Sequence, residues 1–148
     1  MRSKFVVAVI AALAIGATTV AVASSAGAAG GGARITAHTS RYGTVIFTGS
    51  GRAIYLFARD HGTSACYGAC AKAWPPVLTK GAPTAGPGVR GKLLGTIKRK
   101  DGSRQVTYAG HPLYRFVNDK KPGDITCQNV SQFGAKWLVV SPAGRAVH

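Results

Sequence analysis

Sliding the chain along itself by 59 residues lays GTVIFTGSGRAIYLFARD, from Gly43, over GSRQVTYAGHPLYRFVND, from Gly102, without a gap. Identical residues meet at Gly43/Gly102, Thr48/Thr107, Gly51/Gly110, Tyr55/Tyr114, Phe57/Phe116 and Asp60/Asp119. With small gaps the correspondence runs on until Trp74 and Trp137 close their halves. A duplication constrains a fold strongly, because whatever one copy builds the other builds too. Two copies are too few for a solenoid. The expectation is therefore one core made by both copies, with repeat 1 at about 43–78 and repeat 2 at about 102–141.

The local signals within each copy are those of short strands. TVIFTG and AIYLFA flank GSG, which reads as a hairpin, and LLGTIKRK and RQVTYAG flank the turn signal DG. HPLYRFV follows, and near the end KWLVVS meets PAGRAV. One short helix is expected over SACYGACAKAW, stopped by Pro75-Pro76. The predicted fold class is mainly β: a single domain of two tandem strand-turn-strand units, with one short helix near the Cys-x-x-x-Cys segment.

Each copy carries Tyr-x-Phe-x-x-Asp: Tyr55, Phe57 and Asp60, then Tyr114, Phe116 and Asp119. Alternation along a strand puts Tyr55 and Phe57 on one face and Ile54 and Leu56 on the other. Asp60 and Asp119 lie past the alternation, where an aspartate commonly accepts backbone N–H bonds from the following turn. The alternative makes them paired functional carboxylates with acid and base roles divided by environment. Duplication by itself accounts for there being two, so the first reading is preferred. Trp74 and Trp137 read as core or interface anchors, with a carbohydrate platform as the rival.

The first residues divide into a charged start (Arg2, Lys4), an apolar middle from Phe5 to Ala17, and small residues with Ala-x-Ala sites at Ala21–Ala23 and Ala26–Ala28. This is the pattern of a secretory signal peptide, expected over 1–28, followed by a flexible Gly/Ala linker at 29–33 and a secreted β-rich domain at 34–148. With no cysteine before Cys66, the mature protein is expected to be free of lipid and soluble. Removing Arg2 and Lys4 from 19 basic residues leaves 17 against 4 acids, a net charge of +13 with no glutamate. A field of that sign attracts polyanions. The basic residues are scattered, apart from the run Lys98-Arg99-Lys100.

Three cysteines in an exported chain favour one disulfide and one remaining thiol. Cys66 and Cys70 lie one helical turn apart, within disulfide reach, and a structural bridge between them is the main reading. A reducible redox pair is a sharper alternative, although the usual spacing there is Cys-x-x-Cys. A third is a zinc or copper(I) site from Cys66, Cys70 and Cys127 with His61 or His111. Cys127 is then either a partly buried free thiol or the link of a disulfide dimer.

No phosphate-binding glycine loop, nucleophile elbow or aromatic RNA-binding strand signature occurs. The two Tyr-x-Phe-x-x-Asp copies, CYGACAKAWPP and FGAKWLVVSPAG together resemble the bacterial secreted-repeat family, also described as predicted lipoproteins with a Tyr-x-(aromatic)-x-x-Asp motif. The similarity runs from about Gly43 to Gly144. It implies an exported, duplicated, often lipid-anchored protein and supplies no activity. The chain departs from it in lacking a lipid-attachment cysteine, and in having Cys127 before Gln128 where similar sequences usually carry glycine. The expected function is that of a secreted, non-enzymatic, cell-envelope-associated module binding anionic wall or membrane components, with no cofactor and no specific nucleic acid. The alternative is an extracytoplasmic metal-binding or thiol-redox protein built on Cys66 and Cys70.

Overall fold

The computed structural model describes residues 31–148; the expected signal peptide and the first two residues of the expected linker lie outside the described residues. The chain is mainly β. Its strands are β1 (Arg34–Ser40), β2 (Gly43–Thr48), β3 (Tyr55–Phe57), β4 (Thr84–Ala85), β5 (Leu94–Lys98), β6 (Arg104–Tyr108), β7 (His111–Tyr114), β8 (Val130–Gln132) and β9 (Ala135–Val139). A five-residue helix, α1 (Ala69–Ala73), lies between β3 and β4. One sheet has the order β2-β1-β4, the other β5-β6-β7-β3-β9-β8.

At the centre of the larger sheet the two copies meet. β3 of the first pairs antiparallel with β7 of the second, and Tyr55 faces Tyr114. These tyrosines are equivalent under the 59-residue shift, so the pair sits on an approximate two-fold axis relating the copies. All of β3 is buried, because both faces of the sheet are covered. As the alternation predicts, Tyr55 and Phe57 join one core with both tryptophans, and Ile54 and Leu56 join another with Ile46, Val106 and Leu113.

Several expectations change. TVIFTG and AIYLFA form no full hairpin: β2 keeps its ladder with β1 and meets the second run only at the Phe47–Ala53 bridge. β3 is needed at the centre of the larger sheet, and the chain crosses from one sheet to the other at Gly51. The DG hairpin forms as expected, as β5 with β6. The repeating unit also begins a strand earlier than the matching residues. β1 and β5 are equivalent hairpin arms, although Arg34–Ser40 shares no residue with its counterpart under the 59-residue shift. The helix is shorter than its sequence segment, because it starts only after Gly68, whose φ of 56° breaks the helical turn.

The glycines identical in the two copies have a backbone reason. Gly43 and Gly102 have φ of 82° and 83°, and Gly51 and Gly110 have 82° and 81°, so each pair makes the same left-handed turn twice. After Trp74 the first copy continues as Pro75-Pro76, and after Trp137 the second continues as β9. Proline cannot donate to a ladder, which leaves Pro76 only an isolated bridge to Tyr114 where Val139 has a full pairing.

Candidate functional site

The repeated motif assembles across the two-fold axis, not within a copy. Tyr55 donates its hydroxyl hydrogen bond to Asp119 Oδ2 at 2.7 Å, and Tyr114 donates to Asp60 Oδ2 at 2.7 Å. Each tyrosine thus holds the aspartate of the other copy. The second oxygen of each carboxylate closes its own turn: Asp60 Oδ1 accepts from the Ala65 N–H at 2.8 Å, and Asp119 Oδ1 from the Thr126 N–H at 3.0 Å and its hydroxyl at 2.6 Å. The turn-closing role expected from the sequence is present, with a crosswise bond the sequence did not disclose. Burial pushes both tyrosine hydroxyls well above the usual phenol range, and the carboxylate each one faces adds to this, so both stay protonated donors.

Around these bonds lies an aromatic cluster with the same symmetry. Trp74 and Trp137 stack at 4.0 Å with planes 6° apart. Tyr55 meets Trp74 edge-on at 5.2 Å, and Tyr114 meets Trp137 edge-on at 5.2 Å. Phe57 lies on Trp137 at 4.2 Å, and Phe116 on Trp74 at 4.6 Å. Both indoles are fully buried, which makes them core anchors and withdraws the carbohydrate-platform reading. Their N–H groups both end at Gln132, one at its side-chain oxygen and one at its carbonyl.

The symmetry breaks beside Asp60. Arg99, only 4% exposed, turns inward between exposed Lys98 and Lys100. It donates to Ser64 Oγ and Gln105 Oε1 through Nη1, and to the Cys66 carbonyl through Nη2, at 2.7–2.8 Å. Ser64 in turn bonds the Tyr114 hydroxyl at 2.8 Å. Asp60, Tyr114, Ser64, Arg99 and Gln105 therefore form one polar chain, buried except at half-exposed Asp60. Sequence reading missed Arg99, Ser64 and Gln105, because Lys98-Arg99-Lys100 looks like a solvated run; only the turn after β5 separates its middle residue.

Burial raises Asp60 above the ordinary carboxylate range, although bonds from Ala65 and Tyr114 and the charge of Arg99 offset part of the effect. The folded chain therefore holds this proton more tightly than the unfolded chain. Its contribution to stability is complete below the unfolded pKa and is lost as pH rises through the folded one. Against Asp60→Asn, the wild type should lose relative stability as pH rises above the unfolded carboxylate range, about 4, read from melting temperatures of both proteins. A difference that stays constant with pH would contradict this.

Cys66 and Cys70 are joined as a disulfide, with Cα atoms 5.2 Å apart. Cys66 is fully buried and Cys70 nearly so. Closing so short a loop contributes about 2 kcal/mol through the unfolded chain, and the bridge fixes the turn whose Cys66 carbonyl receives Arg99. The four-ligand alternative is not assembled: two of its sulfurs are bonded to each other, and His61 is in an exposed turn. Among the described residues no group of three or more His, Cys, Asp or Glu is gathered to hold a metal ion. Cys127 is a half-buried free thiol packed on the aromatic core, and burial, reinforced by Asp119, raises its pKa.

Two surface clefts flank this core. The larger, about 570 Å³, lies between the β1–β2 turn and the loop after Asp119, with His38, Arg41, Phe47 and Asp124 on its walls. The smaller, about 410 Å³, includes Arg34, Thr48, Ser50 and Arg115. Neither Asp60 nor Asp119 lines either one.

A family model described as a secreted repeat of unknown function matches residues 36–78 and 95–141, so its two units include β1 and β5. No curated protein and no solved structure matches the chain. No helix among the described residues is long and apolar enough to cross a membrane.

Proposed function

Because the chain belongs to the family of secreted repeats of unknown function, we propose that it acts outside the cytoplasm as a non-enzymatic binding module of the cell envelope. Anionic wall polymer or lipid headgroups would hold it through a cationic surface. One observation carries this reading. Among the described residues, every hydrogen bond the four aspartates accept comes from a neutral group: Ala65 and Tyr114 for Asp60, Ser103 for Asp101, Tyr55 and Thr126 for Asp119, and the Lys121 backbone N–H for Asp124. Of the 17 lysines and arginines among the described residues, Arg99 alone is buried. The surface charge is left to attract a polyanion, at close range and by steering from a distance.

The paired carboxylates support a non-catalytic role, since both are occupied in holding the copies together and neither lines the two clefts described above. The buried position of Cys66 weighs against thiol exchange, because an attacking thiolate needs access to a sulfur. The test is co-sedimentation with isolated bacterial cell wall, with anionic vesicles and with zwitterionic vesicles. Binding to wall or anionic vesicles is expected at low salt, with release as salt is raised and the Debye length falls from about 30 Å at 0.01 M to about 3 Å at 1 M. Absence of binding at low salt, or binding indifferent to salt, would overturn the reading.

A further inference from the structure

At the smaller cleft the two halves differ in chemistry. Arg34 and Arg115 line it, with Thr48, Ser50, Val77 and Leu78. Under the 59-residue shift their places in the other half are taken by Leu93 and Leu56, which pack in the apolar core. The fold thus accommodates a hydrophobic pair at these positions, and here it carries two arginines. No carboxylate lines the cleft. Arg115 is half-buried, and burial, with the charge of Arg52 beside it, makes its proton easier to lose. The buried Nε of Arg52 has no hydrogen-bond partner. The repulsion that acts on Arg115 comes from Arg52, just outside the cleft lining, and with no carboxylate in that lining an anion entering the cleft would offset it.

The donors favour a phosphoester. A carboxylate offers two oxygens and is satisfied by one guanidinium fork, whereas a phosphoester offers acceptors in several directions. Here two guanidiniums stand with two hydroxyls, Thr48 Oγ1 and Ser50 Oγ, which at 2.9 Å are bonded only to one another across the lip of the cleft or to the adjacent turn. The 410 Å³ volume leaves room for the carbons flanking a phosphate, beside half-exposed Leu78.

We propose that this cleft binds the phosphoester group of an anionic envelope component, with Arg34 and Arg115 as its guanidinium clamp and Thr48 and Ser50 as hydroxyl donors. The envelope source rests on the function proposed above; the anion site itself does not. Glycerol 3-phosphate, titrated into the isotopically labelled exported protein, should move the backbone amide signals of Ser50, Leu78 and Arg115 in a saturable way. Arg34→Gln and Arg115→Leu should each weaken binding roughly tenfold, the loss of a charge-assisted pair. Lys98→Gln with Lys100→Gln should leave it unchanged. Arg115→Leu restores the residue type of the other half, so its Tm should be equal or higher; should it fail to fold, exposed Arg34→Gln decides. Absent shifts, shifts spread over the whole cationic surface, or equal loss in the lysine variant would overturn the site. Wall or vesicle binding without shifts in the cleft defeats the site and leaves the function standing. Shifts in the cleft without wall or vesicle binding do the reverse.

Discussion

Asp119→Ala is expected to lower the free energy of unfolding by about 2–4 kcal/mol, from the buried Tyr55 hydroxyl left unpaired, at about 1–3 kcal/mol, and from the void left by the carboxyl group. Asp119 is 1% exposed and accepts from the Tyr55 hydroxyl, the Thr126 N–H and the Thr126 hydroxyl. Alanine orphans the buried Tyr55 hydroxyl, leaves the groups of exposed Thr126 to water, and opens a void in the contact between the copies. The loss is a large share of the roughly 5–15 kcal/mol that keeps a domain folded. Asp60→Ala should cost less, because Asp60 is half-exposed and water can reach its stranded partners. Urea unfolding of both variants checks the order. A change of under about 0.5 kcal/mol for Asp119→Ala, the range of an ordinary surface substitution, would remove the crosswise bonds from any stabilising role.

Trp137→Ala should be comparably severe, at about 3–5 kcal/mol for truncation of a buried tryptophan. Trp137 is fully buried and touches Trp74, Phe57 and Tyr114 in stacked and edge-on contacts. Two of these four rings come from the first copy and two from the second, so the cavity opens between the halves. Trp74→Ala attacks the same stack from the other side. The two changes should therefore be non-additive, with the double variant costing less than the sum of the singles. Denaturant unfolding of the two single variants and the double variant measures this. Strict additivity would show that the two halves do not share one core.

Much of this architecture is legible in the chain. Tyr55 and Phe57 share a face because strand side chains alternate, and the DG hairpin of β5 and β6 follows from its turn chemistry. The four-residue spacing of Cys66 and Cys70 puts a bridge within reach in the sequence, and the bridge forms, although Gly68 breaks the helical turn and Cys66 lies before α1. What stayed hidden has physical causes. β1 and β5 are equivalent but share no residue under the 59-residue shift, since hairpin arms need a pattern of burial and not particular side chains. Arg99 sits in a basic run and is read as solvated until the turn after β5 directs it inward onto Ser64, Gln105 and Cys66. Arg34 and Arg115 are 81 positions apart, and nothing local links them.

By itself the sequence determined that one unit is built twice and that tyrosine, phenylalanine and aspartate recur in it for a reason. The tertiary structure decided that the reason lies between the copies. An antiparallel pairing of equivalent strands places each residue opposite its counterpart, so Tyr55 reaches Asp119, Tyr114 reaches Asp60 and each phenylalanine reaches the other half's tryptophan. Matching residues along a chain reveal that a unit is repeated. Which copy satisfies which donor depends on how the two units dock, and that is set by burying two apolar faces against each other.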